Sequence, residues 1–327
     1  MAQYDVLIVG GGLVGPLAAI ALSEAGLSVA VIDRLPLDTR SAAEFDGRAY
    51  ALSHASFSML NVLGLWAGLK NNAQAILDIK VSDGRAMDGA SPNYAHFDHT
   101  ELEEGPMGYL VEDRHLRRAL LTRLNDLAIE QFNTASVTAW DEGRIDTNDG
   151  TLTASLILAA DGRNSSIANF AGIKRRGWGY QQTSLVCAIN HEKPHMGCAH
   201  QFFTPTGPLA ILPLTGNRSS IVWTESRSRA EVIQNGKDAG YLEALRPVFG
   251  DFLGEISLKG QRFAYPLGLS LAERLIGPRL ALIGDAGHGI HPLAGQGFNL
   301  GVKDAAALAE VVISARRRGE DIGTADV

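Results

Sequence analysis

At 327 residues, 46% of them hydrophobic and 20% charged, the chain is long enough for two domains around large cores. A net charge of −7 argues against nucleic acid as the principal partner, because phosphate binding needs concentrated Lys and Arg. The two cysteines, Cys187 and Cys198, form no CxxC, which excludes a disulfide framework and a dithiol redox centre.

Tyr4 to Val9 reads as an apolar strand, Gly10 to Gly15 as a glycine turn, Leu17 to Ala25 as an alanine-rich helix, and Ser28 to Ile32 as a second strand ending at Asp33. That order is a βαβ unit. Helical spacing is expected over Ala51 to Trp66 and again over Asp113 to Leu127, where Leu116, Leu120, Leu121 and Leu124 share a side. Ser155 to Ala160 is a further buried strand ending in Asp161-Gly162, followed by a short helix from Asn164 to Ala171. From about Tyr180 to Tyr265 the texture becomes strand-rich (Thr183 to Ile189, His200 to Phe203, Leu209 to Leu214, Ser219 to Trp223, Glu255 to Ala264), with helices near Arg229 to Gln234 and Tyr241 to Phe249. Leu280 to Ile283 returns to a buried strand that stops at Gly284-Asp285, and a glycine-rich bend then opens a helix from about Gly297. An α/β nucleotide domain built from both ends of the chain and interrupted by a mixed or antiparallel sheet domain explains this order.

No apolar run approaches the ~18 residues of a membrane helix, and Met1 to Val9 lead into a strand without a signal-peptide pattern, so a cytoplasmic location is expected. The basic runs Lys174-Arg175-Arg176 and Arg316-Arg317-Arg318 read as solvated surface, with membrane-surface or partner docking as the alternative.

Gly10, Gly12 and Gly15 supply GxGxxG between strand and helix, and Asp33 follows Gly15 by 18 residues, close to the spacing of a ribose-binding acid. The glycines let backbone approach a pyrophosphate, and the acid favours a free ribose 2′-hydroxyl, as in FAD or NAD. No second GxGxxG occurs. Gly284-Asp285 before the last helix forms another anion-friendly corner, where an Asp can hold a sugar hydroxyl and free N–H groups face negative charge. His191-Glu192-Lys193-Pro194-His195 satisfies HExxH, with Cys198 and His200 nearby, but Pro194 and flanking strands favour a hairpin, and no metal is expected. His288 and His291 flank the bend and are candidates for acid/base work or for hydrogen-bonded scaffold. Of Trp178, Tyr180, Phe202, Phe203, Trp223, Phe263 and Tyr265, most should be core and a subset should line a pocket.

Three segments, GGGLVG with Asp33, LILAADGRNSSIAN, and LALIGDAGHGIHPLAGQGFNLGVKDAAALAE, together resemble the fingerprint of FAD-dependent aromatic hydroxylases. Arg48-Ala49-Tyr50-Ala51-Leu52-Ser53 and Arg114-His115-Leu116-Arg117-Arg118-Ala119-Leu120 narrow the resemblance to the UbiH/UbiF/VisC ring hydroxylases of ubiquinone biosynthesis. The resemblance implies a para-hydroxybenzoate-hydroxylase-like fold. Its FAD-binding domain would take residues 1–75, 105–177 and 266–327, and its substrate domain residues 76–104 and 178–265. It also implies that Gly10, Gly12, Gly15 and Asp33 hold the ADP half of FAD, with Arg48 beside the flavin and pyrophosphate. Asp161 and Gly162 would touch FAD and the transient NAD(P)H route. Gly284 and Asp285 would hold the ribityl chain, while Pro292, Gly295, Gln296, Gly297, Phe298 and Asn299 border the flavin ring. Asp113 departs from the neutral or basic residue of the pattern and would repel a pyrophosphate, so Arg114 is given the flavin contact.

The implied reaction is NAD(P)H- and oxygen-dependent hydroxylation of a polyprenylated phenol. No catalytic acid or base is assigned. A hydroxylase of small soluble aromatics, a related isoprenoid flavoenzyme, and a noncatalytic FAD-binding assembly partner are the alternatives. Docking at the inner membrane surface or in a biosynthetic complex is an additional expectation. The chain also reads as shortened at its C-terminus relative to the family, soon after an apolar helix over Val302 to Ile313.

Overall fold

A computed structural model describes residues 3–85, 89–103 and 105–324. Met1 and Ala2, residues 86–88 and 104 of the expected substrate insert, and residues 325–327 lie outside it. Gln3–Val9 is the centre of a parallel sheet, paired with Val29–Asp33 on one side and Gly150–Ala159 on the other. Glu130–Asn133 extends the first side and Leu280–Leu282 the second, both parallel. Helices cover one face, and the antiparallel strands Val137–Asp141 and Arg144–Thr147 with the short helix Ser166–Phe170 cover the other, so Leu7, Ile8 and Leu158 are wholly buried and the strands read as continuous apolar runs. Val14–Glu24, Asp113–Asp126 and Gln296–Arg318 share one core through Leu17, Ile20, Leu116, Leu120, Val302 and Ala305. Because these strands run parallel, the residues after Val9, Asp33, Ala159 and Leu282 all emerge at one edge. The sequence motifs sit at that edge.

The second sheet runs in the order His288–Gly289, Ile256–Ala272, Arg175–His191, Arg218–Ser226, Gly207–Leu214, Cys198–Thr204, Asp78–Arg85, Gly89–Asp98. Alternation decides its faces. Leu185, Cys187, Ile221, Trp223, Leu209, Ile211 and Phe202 point into a core beneath the helices Arg227–Asn235 and Asp238–Phe249. The intervening Ser184, Val186, Val222, Ala210 and Leu212 face the other way, towards the parallel-sheet region. A small third sheet, Ala49–Ser53, Gly108–Glu112 and Ala73–Ile76, lies between. Among the described residues, no helix is long and apolar enough to cross a membrane.

Several expectations need correction. The helix expected over Ala51 to Trp66 begins at His54, because Ala49–Ser53 is claimed as a strand by its ladder with Gly108–Glu112. Ser53 then caps that helix through Ser56 N, and Gly64 at φ +73° ends it before a second short helix, Trp66–Leu69. The last helix is longer than its apolar stretch, running to Arg318. Lys174 to Arg176 is not simply solvated surface: Arg175 donates to Asp285 O, Ala286 O and Ser270 O, and so ties the second sheet to the turn after Leu282.

Candidate functional site

The strand ends and the exposed face of the second sheet enclose a cavity of about 930 Å³. Arg48, Gly162, Gly284, Asp285, Pro292, Gly295, Gly297 and Phe298 from the sequence reading line it. The glycines divide by what a side chain would meet. A Cβ at Gly10, where φ is +116°, would lie 2.3 Å from Ala160 O, and one at Gly15 would lie 2.0 Å from Gly10 O, so both are required by backbone packing. At Gly12, Gly162 and Gly297 a Cβ would meet no protein atom within 4 Å. Packing does not explain the missing side chains at Gly12 and Gly297, and Gly297 lines the cavity.

Two helix N-termini open onto the same cavity, at Leu13–Val14 and at Gly295–Gly297. Neither has a side-chain cap or an acid in its first turn, so their N–H groups and dipoles are available to an anion. The second is aimed by Ala294 (φ +53°) and Gly295 (φ +63°), two successive left-handed residues. Holding an alanine there costs about 1 kcal/mol, a strain of the kind that collects at functional sites. Asn299 braces this turn. Its amide accepts from Ser53 N and Ser56 Oγ and donates to Ala51 O and Gly295 O, so it faces the scaffold, not the cavity. Gln296 is exposed and also outside the cavity wall.

Asp33 accepts from Gly11 N at 2.6 Å and Leu35 N at 2.7 Å, locking the glycine turn to the second strand. Arg40, unremarked in the sequence, is buried against Gly11, where its guanidinium bonds Asn133 Oδ1 and leaves Nε without a partner. Asp161 is turned away from the cavity. Its Oδ2 accepts from Ser166 N and Ser166 Oγ, starting the helix Ser166–Phe170, while its neighbours Gly162 and Arg163 line the wall. Arg163 reaches Asp285 Oδ2 at 3.1 Å and Ile290 O at 3.0 Å, joining the two Asp-Gly corners.

Positions 113 and 114 both direct their side chains to protein partners. Arg114 bonds Glu112 Oε2 and Ala43 O and lies over the Phe45 ring, outside the cavity wall. Asp113 is buried and repels nothing, because Arg117 Nε donates to its Oδ2 at 2.6 Å and Arg48 lies 3.4 Å from the same oxygen. Arg117, a cation that the sequence reading does not single out, lines the cavity. The signal was present: Asp113 and Arg117 stand at i, i+4 on one helix.

His288 is scaffold. Its Nε2 lies 2.6 Å from Asp304 Oδ2, which also accepts from Gly284 N, and this hydrogen bond raises the imidazole pKa. His291 lies beside Tyr180 with the two rings tilted at 51°, and burial lowers its pKa. In the HExxH segment, His191 ends a strand and His195 follows in a loop, so the helical geometry zinc needs is absent. His191 contacts Lys193 O and Ser219 Oγ, and His195 contacts Leu214 O and Gly216 O. Of the seven aromatics, Phe203 and Tyr265 line the cavity, while Phe202 and Trp223 are core.

The opening between two uncapped helix ends, backed by a parallel sheet, is that of a flavin-binding oxidoreductase. The FAD binding domain family model matches residues 3–321, and the chain belongs to that family of FAD-dependent monooxygenases. The chain is 46% identical to a ubiquinone hydroxylase, UbiL, of Rhodospirillum rubrum, over 98% of this chain and 74% of that relative. It is 34% identical to the 3-demethoxyubiquinol 3-hydroxylase of Escherichia coli, over 97% of this chain and 81% of the relative. Among solved structures, p-nitrophenol 4-monooxygenase from Pseudomonas putida superposes with a TM-score of 0.80 at 21% identity, covering 98% of this chain and 82% of that one. This similarity supports the para-hydroxybenzoate-hydroxylase-like fold.

Proposed function

We propose that the protein hydroxylates the aromatic ring of a polyprenylated phenol in ubiquinone biosynthesis, using NAD(P)H as reductant and molecular oxygen. The observation that carries this reading is the cavity itself, polar and glycine-lined at the strand ends and apolar along Ile79, Val81, Ala210, Leu212 and Val222. A prenyl chain fits the second part, and the named relatives favour it over a small soluble aromatic. Bound FAD supplies the redox chemistry that joins NAD(P)H oxidation to hydroxylation of the ring.

The residues divide the remaining work. Gly12 and the helix end at Leu13–Val14 receive the pyrophosphate, with Arg48 and Arg117 as donors and Asp33 beside the ribose. Asp285 and Gly284 take the ribityl chain; Pro292, Gly295, Gly297 and Phe298 border the ring. The N–H groups after Gly295 stabilise negative charge on the reduced ring. Phe203, Tyr265 and the apolar rows hold the phenol and exclude water, which would otherwise waste the reducing equivalents.

We place the cofactor domain at 1–75, 105–177 and 266–327 and the substrate domain at 76–104 and 178–265. The proposed seam falls near the ladder irregularity between Gly179 and Thr183. Since a prenylated substrate resides in a bilayer, the proposal includes docking at a membrane surface, which liposome co-sedimentation tests.

The deciding experiment adds NADPH or NADH to the FAD-loaded protein with and without a prenylphenol, then analyses the product. Substrate-stimulated oxidation with a hydroxylated ring is expected. Tight FAD binding without ring hydroxylation would overturn the assignment.

A further inference from the structure

Ser184 lies in the strand Arg175–His191, opposite Tyr265 on one neighbouring strand and Thr224 on the other. Its neighbours in sequence, Thr183 and Leu185, point to the opposite face, and Leu185 is in the helix-covered core. Ser184 itself lines the cavity with Val186, Val222 and Tyr265, yet is only 1% exposed, and its Oγ has no hydrogen-bond partner. Several other polar groups on the wall already have protein partners. Arg48 is held by Asp46 and Asp113, Arg163 by Asp285 and Ile290 O, and Gln201 donates to Leu209 O. Among the described residues of the cavity wall, Ser184 carries the buried side-chain oxygen left unsatisfied.

A buried hydroxyl gives up its hydrogen bonds to water, and that loss is recovered only if something entering the cavity replaces them. An alanine here would fill the sheet face equally well, so packing gives no reason for the oxygen. Resting on the function proposed above, we infer that Ser184 Oγ hydrogen-bonds the oxygen substituent on the substrate's aromatic ring and is a specificity-determining residue. The hydroxyl both donates and accepts, so it matches a phenol, which does the same. The apolar rows around it can hold a prenyl chain but cannot tell one rotation of the ring from another. Ser184 supplies that distinction by fixing where the ring oxygen lies, and hence which ring carbon faces the cofactor.

The test uses FAD-loaded protein, titrated separately with a phenol bearing a short prenyl chain and with the matching prenylbenzene that lacks the ring oxygen. Flavin absorbance reports binding. Wild type should prefer the phenol, and Ser184→Ala should lose about five- to tenfold of that preference while its affinity for the prenylbenzene stays unchanged. The FAD dissociation constant and melting temperature of S184A should match wild type, and Ser184→Thr, which keeps the hydroxyl, should retain part of the preference. An equal loss for both ligands, an unchanged preference, or a change confined to FAD affinity would each overturn the inference. If wild type gives no response to the phenol, the proposed function itself falls, whereas binding with an unchanged S184A preference removes Ser184 alone.

Discussion

The parallel-sheet region and the antiparallel sheet offer a ligand opposite kinds of surface. In the first it is largely backbone: glycines at which a Cβ is forbidden or is simply left out, and helix ends whose N–H groups are free. In the second it is one pleated face of side chains, with Ser184, Val186, Val222 and Ala210 brought together by strand pairing. Backbone recognition tolerates almost no substitution and suits a fixed cofactor. A side-chain face can change residue by residue without disturbing the ladder, and suits a substrate that differs between relatives.

This contrast can be broken most severely at Gly15. Gly15→Ala places a Cβ against Gly10 O, and the expected cost is about 3 kcal/mol or more, read as a lower melting temperature and loss of bound flavin. Gly12→Ala separates fold from ligand. With nothing within 4 Å, stability should shift by less than about 0.5 kcal/mol, while FAD affinity falls on the order of 100-fold by fluorescence titration. Equal effects on both would mean that Gly12 serves the fold.

On the other side, Val222→Phe should fill the apolar row, raising KM for a prenylphenol roughly tenfold with FAD affinity unchanged. Arg117→Gln should weaken FAD binding by about 1.5 kcal/mol, roughly tenfold, whereas Arg114→Gln should leave it unchanged.

The smallest effect concerns His288. Its folded pKa is raised by the Asp304 hydrogen bond, so the stabilisation is fully present below the unfolded value of about 6.5 and is lost as pH rises through the folded value. The difference in stability between wild type and His288→Gln, followed by thermal melting, should therefore be widest near pH 6 and narrow in alkali, amounting to at most about 1 kcal/mol. A gap that widens with pH would reverse this account.

The same contrast explains how much was legible in the sequence. Gly10, Gly12, Gly15, Asp33 and Gly284-Asp285 announce themselves because the constraint on each is local, a turn or a strand end. Ala51–Ser53 carries helical spacing in sequence, and the strand that claims it instead, Gly108–Glu112, lies more than 50 residues away. Asp161 and Asn299 carry the right motif but spend their side chains on scaffold. Helical geometry separates Arg114 from Arg117: the first points back to Glu112 and the second reaches Asp113, a turn away. Ser184 could not have been singled out, since its meaning depends on which face of a strand is covered by helices.

The two seventeen-residue strands Arg175–His191 and Ile256–Ala272 pair along most of their length, bound to the cofactor corner by Arg175 at one end and to the helix-covered core by Leu185 and Ile189 towards the other. Their ladder is broken between Gly179 and Thr183, with Gln181 at φ +58° inside the gap, and again between Val186 and Ala188, so they form stiff segments joined at breaks and not one continuous beam. The first break lies at the proposed seam, so bending between the two regions concentrates there while each segment moves as one piece. Small-angle scattering with and without ligand reads that bending as a change in radius of gyration.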